Sequence, residues 1–464
     1  MTEIKKYTEP VSVTGGFIAG YYCNEEDDIA VFKGIPYAEA ERWEDPVDPK
    51  PWLGIRECFE WGPSAIQEEQ KPFMCWTKEF IIEDTGYSED CLSLNLWTKT
   101  DGKENKPVLV YIHGGANTTG GSSCEVYDGT YMAEHDVVYV NINYRVGLFG
   151  FLCHPEGIKG NFALKDQIKA LEWVRDNIAQ FGGDPDNVTI MGQSAGSENV
   201  QTLIASPKAE GLFDKAVAMS FNIIGMPFPS LEEKEAEGKE LFGDMTIDEM
   251  KSLSTDQILE LQKTYRPRCV IDGEYLTESF SSALKHTKCS IITGFVSGDT
   301  MLFSPFTTTT SKEEYEEKVK EVYPDHWEKV LHLYPFEDRQ KLGTDRMTAQ
   351  SHCIARASGK DVYAYHFAHV MPGPNSSVYG AFHTSDVPYF LHVLSDERKD
   401  YWTEEDIQIA DHLSNHLIQY VQNGDPGWDK DIEDRYLLID DEETVTHIPP
   451  EKNLFWMEYF KDLY

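Results

Sequence analysis

Asn187 to Ser197 reads NVTIMGQSAGS, and the order of chemical types along it decides the fold. A short β-branched run, Val188 to Met191, stops at a glycine. Ser194 then stands between Gly192 and Gly196, and a helix-compatible run follows. A serine nucleophile on a sharp strand-to-helix turn needs glycine on both flanks, because side chains there would meet the adjoining strand and helix. The helix N-terminus that follows presents backbone N–H groups to a developing oxyanion. The pentapeptide alone is compatible with an ordinary turn. The strand before it and the helix after it give it weight.

Upstream, Leu164 to Phe181 (LKDQIKALEWVRDNIAQF) places Ile168, Leu171, Trp173, Val174 and Ile178 mostly at helical spacing, with a stop at Gly182-Gly183 before Asp184-Pro185. Further back, VLVYI (Val108 to Ile112) and VVYVNINY (Val137 to Tyr144) read as buried strands. Strand, helix, strand in that order implies right-handed crossovers in a mostly parallel sheet. From about Ile223 the character changes. Ser230 to Glu260 and Ser311 to Leu342 are rich in Glu and Lys with helical periodicity, and SIITGF (Ser290 to Phe295) and VYAYHF (Val362 to Phe367) are later strands. A helix is expected over Glu404 to Val421. The expectation is one α/β domain over 1–464, with helical insertions at about 223–269 and 304–354.

A second chemical signal is YIHGGANTTG (Tyr111 to Gly120), directly after the strand VLVYI. Glycines there let the main chain turn its N–H groups toward a substrate oxygen. The segment lacks the GK[ST] ending of a phosphate loop. Paired with the serine turn, it reads as half of a hydrolase site.

Composition narrows the class. The chain has 464 residues, 41 Lys plus Arg and 80 Asp plus Glu, for a net charge of −39. That balance argues against nucleic acid as partner, since phosphate binding needs clustered cations. Nine cysteines without a CxxC pair fit reduced thiols better than a zinc or disulfide framework. No apolar run is long enough to cross a membrane, and MTEIKKYTEP lacks the apolar core of a secretory signal. The expected setting is cytoplasmic.

Longer segments resemble the type-B carboxylesterase and cholinesterase family. They are EDCLSLNLW (Glu89 to Trp97), NYRVGLFGFL (Asn143 to Leu152) and the whole stretch Gly160 to Ser197. FKGIPYAEA (Phe32 to Ala40) and NGDP (Asn423 to Pro426) are similar to flanking motifs of that family. The resemblance implies an α/β-hydrolase fold, with a mostly parallel central sheet flanked by helices and with helical cap insertions. It also implies ester hydrolysis without a metal or organic cofactor.

The same resemblance assigns residues one at a time. Ser194 matches the nucleophile. GFVSGDTMLF (Gly294 to Phe303) is similar to G-T-x-x-D-E-G and puts the acid at Asp299, with Thr300 where glycine is usual. YGAFHTSDVPYF (Tyr379 to Phe390) is similar to G-A-x-H-x-x-E-x-P-Y and puts the histidine at His383. The oxyanion donors fall on the backbone N–H groups of Gly115, Ala116 and Ala195. The order Ser194, Asp299, His383 is that of α/β-hydrolases.

Alternatives exist for the acid at Asp272 and Glu274, while Asp386 is expected to support the histidine from behind. His366 and His369 read as packing or surface residues, and His412 and His416, without a HExxH glutamate, are not expected to bind metal. Phe149, Phe221, Phe303 and Phe306 are candidate pocket residues. Cys91 matches a disulfide cysteine of secreted relatives, but PSAIQ (Pro63 to Gln67) holds no partner; Cys75 is the substitute candidate. Gln193 replaces the glutamate of cholinesterases, so choline esters are not the expected substrate. The reading is a serine carboxylesterase for small uncharged esters. Its rivals are an amidase, carbamate hydrolase or thioesterase with the same residues, or a family member that only binds.

Overall fold

A computed structural model of the chain describes residues 6–24, 26, 28–374, 376–431 and 434–464. Among the described residues, eleven strands form the main sheet. They are β1 (Tyr21–Tyr22), β2 (Ile29–Pro36), β3 (Ser93–Lys99), β4 (Lys106–Ile112), β5 (Val138–Ile142), β6 (Gly183–Gln193), β7 (Lys215–Met219), β8 (Ser290–Val296), β9 (Val362–Phe367), β10 (Arg435–Ile439) and β11 (Glu443–His447). Their spatial order is β11-β10-β9-β8-β7-β6-β4-β5-β3-β2-β1. From β5 to β10 every pairing is parallel, and antiparallel strands finish both edges. This is the α/β-hydrolase architecture.

The central strands are apolar on both sides because helices cover both faces. In β4 the alternation of side chains sends Val108, Val110 and Ile112 into one core and Leu109 and Tyr111 into the other. The helix upstream of the serine turn, α1, spans Phe162–Asn177 and continues as a 3₁₀ turn through Ile178–Phe181. The change falls at Asn177, whose Nδ2 donates back to the Trp173 carbonyl and whose Oδ1 accepts the Thr14 N–H. Helix α2 is Ala195–Ala205, α3 is Arg339–Ala357 and α4 is Glu404–Asn423.

The first expected insertion holds three helices, Leu231–Phe242, Ile247–Lys251 and Thr255–Gln262. Each starts with a capping box, Ser230 with Glu233, Thr246 with Glu249, and Ser254 with Gln257. The second holds Lys312–Val322 and Trp327–Leu333, and then α3, the crossover helix that packs on β8 and β9. The motif NYRVG is held to α1 by a buried pair, with Arg145 donating to Asp166 at 2.6 and 2.8 Å. All nine cysteines, Cys75 and Cys91 included, are free thiols. Among the described residues, no helix is long and apolar enough to cross a membrane.

Candidate active site

Strand β6 ends at Gln193 and α2 begins at Ala195, so Ser194 occupies the turn alone. Its backbone is at φ 59°, ψ −125°, a conformation that L-residues rarely hold. The Ser194 N–H donates to the Met219 carbonyl at 2.9 Å, which fixes the turn to the end of β7. Crowding explains the flanking glycines. A Cβ at Gly192 would lie 2.4 Å from the Gly196 oxygen, and one at Gly196 would lie 2.1 Å from the Ile112 oxygen.

Asp299 opens a short helix just after β8, and its side chain is fully buried. Its Oδ1 lies 2.5 Å from His383 Nδ1, and its Oδ2 accepts the Val296 N–H at 3.1 Å. The carboxylate therefore holds the proton on Nδ1 and leaves Nε2 as an acceptor. The Gln193 carboxamide reaches that nitrogen at 3.2 Å. Ser194 and His383 line one cavity of about 670 Å³.

The loop after β4 forms another wall of this cavity. Gly115 and Ala116 both take positive φ, 110° and 55°. Among the described residues, no acceptor takes the N–H of either. The N–H groups of Thr118 and Thr119 both turn onto the Gly115 oxygen at 3.0 Å. Asn117 is clamped from α2, accepting from Asn199 at 3.0 Å and donating to Glu198 at 3.3 Å. Burial raises the Glu198 carboxyl against the opposing effect of Arg268, whose Nε lies 3.3 Å away. Ala195 is the first residue of α2, where backbone N–H groups have no partner within the helix.

The aromatic lining differs from expectation. Phe149 is buried in the core and lies under the Arg42 guanidinium, 5.4 Å from ring centre to Cζ, away from the cavity of Ser194. Phe221 and Phe306 line a second cavity instead. The side chain of Phe303 lies outside the described residues. The observed walls are Phe73, Trp76, Phe80 and Tyr127. Three of these come from KPFMCWTKEF (Lys71 to Phe80), where clustered aromatics without helical or strand period were the only available signal.

The alternative acids do other work. Asp272 Oδ1 accepts the N–H groups of Glu274, Tyr275 and Leu276 in a turn, and Glu274 pairs with Lys208 at 3.1 Å. Asp386 is fully buried behind His383 and accepts the Tyr365 hydroxyl at 2.7 Å. Burial, with Asp299 adding to it, pushes the Asp386 carboxyl up to about 7. His366 meets Ser297 Oγ at 2.8 Å and burial lowers it to about 4, while His369 meets Asp406 at 2.9 Å. His416 bonds Glu443 at 3.1 Å. Among the described residues, one group has the spacing of metal ligands, His352, Asp431 and Asp434. Asp434 is already paired with Arg356 at 2.6 Å.

Comparison with known proteins agrees with this geometry. Residues 8–348 match the carboxylesterase family. The chain is 29% identical over 469 residues to para-nitrobenzyl esterase of Bacillus subtilis (strain 168), covering 91% of this chain and 94% of that protein. It is 28% identical over 447 residues to fumonisin B1 esterase of Sphingopyxis macrogoltabida, covering 86% and 80%. A solved structure of PNB esterase superposes with a TM-score of 0.81 at 26% identity, covering 97% of this chain and 99% of that one. The chain belongs to the carboxylesterase family and is a carboxylic ester hydrolase of the serine type.

Proposed function

We propose that Ser194, His383 and Asp299 form the catalytic triad of a carboxylesterase acting on small uncharged esters. The observation that carries the reading is the bond between His383 Nδ1 and Asp299 Oδ1, with His383 and Ser194 facing one cavity. Nε2 of His383 accepts the Ser194 hydroxyl proton as Oγ attacks the ester carbonyl. The same proton then passes to the departing alcohol. Asp299 keeps the imidazole in one tautomer and stabilises its cation. The N–H groups of Gly115, Ala116 and Ala195 receive the developing oxyanion, each worth roughly 2.7–4 kcal/mol of barrier. Water activated by His383 releases the acid.

The apolar walls support an uncharged acyl or alcohol group. One sheet running from β1 to β11 supports a single-domain reading of 1–464. Free thiols and the odd cysteine count support a reducing, cytoplasmic setting.

The test is hydrolysis of p-nitrophenyl esters of rising acyl length by wild type and Ser194→Ala, with circular dichroism to check the fold. Loss of turnover in the variant supports the assignment, and undiminished turnover sinks it.

A further inference from the structure

A second cavity, of about 590 Å³, lies at the ends of β7 and β8. Ser220 to Asn222, immediately after β7, form one wall, and Arg346, Met347 and Gln350 of α3 contribute another. Its wall begins next to the strand end that holds the serine turn, since the Ser194 N–H donates to the carbonyl of Met219, the residue before Ser220. Most of its surface is apolar, with Phe221, Phe306, Met347 and Leu463 prominent.

One cation stands in this lining. Arg346 is half-buried, and its Nε is shut off from solvent with no hydrogen-bond partner among the described residues. No carboxylate among them lies within ion-pair distance of it. Three other interior arginines are ion-paired, while half-buried Arg339 donates from Nη1 to the Phe336 carbonyl at 3.1 Å. Arg145 pairs with Asp166, Arg268 with Glu198 and Arg398 with Glu79. A chain with 80 acidic residues has carboxylates to spare, yet supplies none here. Two further buried donors in the same lining, Ser220 Oγ and Asn222 Nδ2, also have no partner among the described residues. Asp462, the acid of the lining, is exposed, so water and salt screen its repulsion. A buried Nε–H of a guanidinium left without an acceptor is unfavourable, and an anion with an apolar body satisfies both features of the cavity.

We propose that this cavity binds an aliphatic carboxylate, with the carboxylate on Arg346 and the hydrocarbon chain against Phe221, Phe306 and Met347. The carboxylate has two sources, a free acid such as the product of ester hydrolysis, or the distal carboxylate of a half-ester substrate. The second source rests on the esterase chemistry given above and widens its substrates from uncharged esters to half-esters.

The test is calorimetric titration of the full chain, carrying Ser194→Ala, with octanoate and with octanamide as the uncharged match. Octanoate should bind about tenfold more tightly, the ratio expected of a charge-assisted hydrogen bond. Arg346→Gln should abolish that preference and Arg346→Lys should retain part of it. Ser220→Ala, which leaves the guanidinium in place, should weaken octanoate and leave octanamide unchanged. Equal affinities in the parent, or a preference that survives Arg346→Gln, overturns the proposal. If Arg346→Gln does not fold, the parent comparison and Ser220→Ala decide.

The sources are separated by p-nitrophenyl hydrogen adipate and p-nitrophenyl hexanoate, turned over by the enzyme with Ser194 intact. A kcat/KM preference for the charged ester that Arg346→Lys reduces identifies a half-ester. Octanoate binding without such a preference identifies the free acid. Failure to hydrolyse either ester counts against the esterase reading alone, because the titration does not depend on turnover.

Discussion

The indole Nε1 of Trp76 donates to Thr384 Oγ1 at 2.8 Å, tying the aromatic wall of the active-site cavity to the residue after His383. Thr384 holds a positive φ of 84°, so its backbone gains from such a tether. Trp76→Phe keeps an aromatic wall and removes the donor. With a neutral hydrogen bond worth about 1 kcal/mol, kcat/KM for p-nitrophenyl butyrate should fall roughly fivefold. An unchanged value would show that the loop of His383 holds its position without this bond.

Strain at Ser194 makes a stability prediction opposite in sign to the activity prediction. A non-glycine residue in such a conformation costs about 1–3 kcal/mol, against about 0.5–1 kcal/mol for the extra chain entropy of glycine. Strain wins, so Ser194→Gly should melt above Ser194→Ala, with both inactive. Equal melting temperatures would mean that the turn carries no strain.

Arg398 and Glu79 form a buried pair that anchors the wall segment, and Arg398 also donates to Thr77 Oγ1 and the Pro372 carbonyl, both at 2.7 Å. Removing one partner of a buried pair costs about 3–5 kcal/mol, because the other charge is left uncompensated. Arg398→Met should therefore lower urea stability by that order and raise KM. The double change Arg398→Met with Glu79→Met should recover part of the stability. A double variant no better than the single one would contradict a charge-based penalty.

Asp386 links stability to pH. Its carboxyl titrates near about 7 in the folded chain, mainly through burial and then through Asp299, against ~3.9 when unfolded. The folded state thus holds the proton more tightly. The group's contribution is complete below about pH 4 and is lost as pH rises toward about 7. Asp386→Asn, neutral throughout, should show a shallower decline of unfolding free energy across that window than wild type. Parallel curves would mean that Asp386 is not protonated in the folded protein.

Glycine at 192 and 196, and the serine between them, were legible because the strand-turn-helix around them is written in one short stretch of sequence. A Cβ at Gly192 would meet the Gly196 oxygen at 2.4 Å within the same turn, and one at Gly196 would meet the Ile112 oxygen of the adjoining β4 at 2.1 Å. His383 and Asp299 were legible through their surrounding motifs, although 84 residues separate them. The strands and helices followed from period and stop signals, with the break at Asn177 an exception made by a side chain returning to its own helix.

The walls of the site were not legible. Whether an aromatic lines a cavity or fills the core depends on how distant segments cross the edge of the sheet. Phe149, in the motif NYRVGLFGFL, went to the core under Arg42, while Phe73, Trp76 and Phe80 came from a segment with no periodicity at all. The isolation of Arg346 is of the same kind, since a missing counter-charge is a property of everything packed around a residue. Sequence alone thus determined the fold and named the candidate reacting groups, because backbone sterics and bonding chemistry leave their marks in short motifs. Tertiary structure alone decided what surrounds them, because packing and charge pairing are settled between segments far apart in the chain.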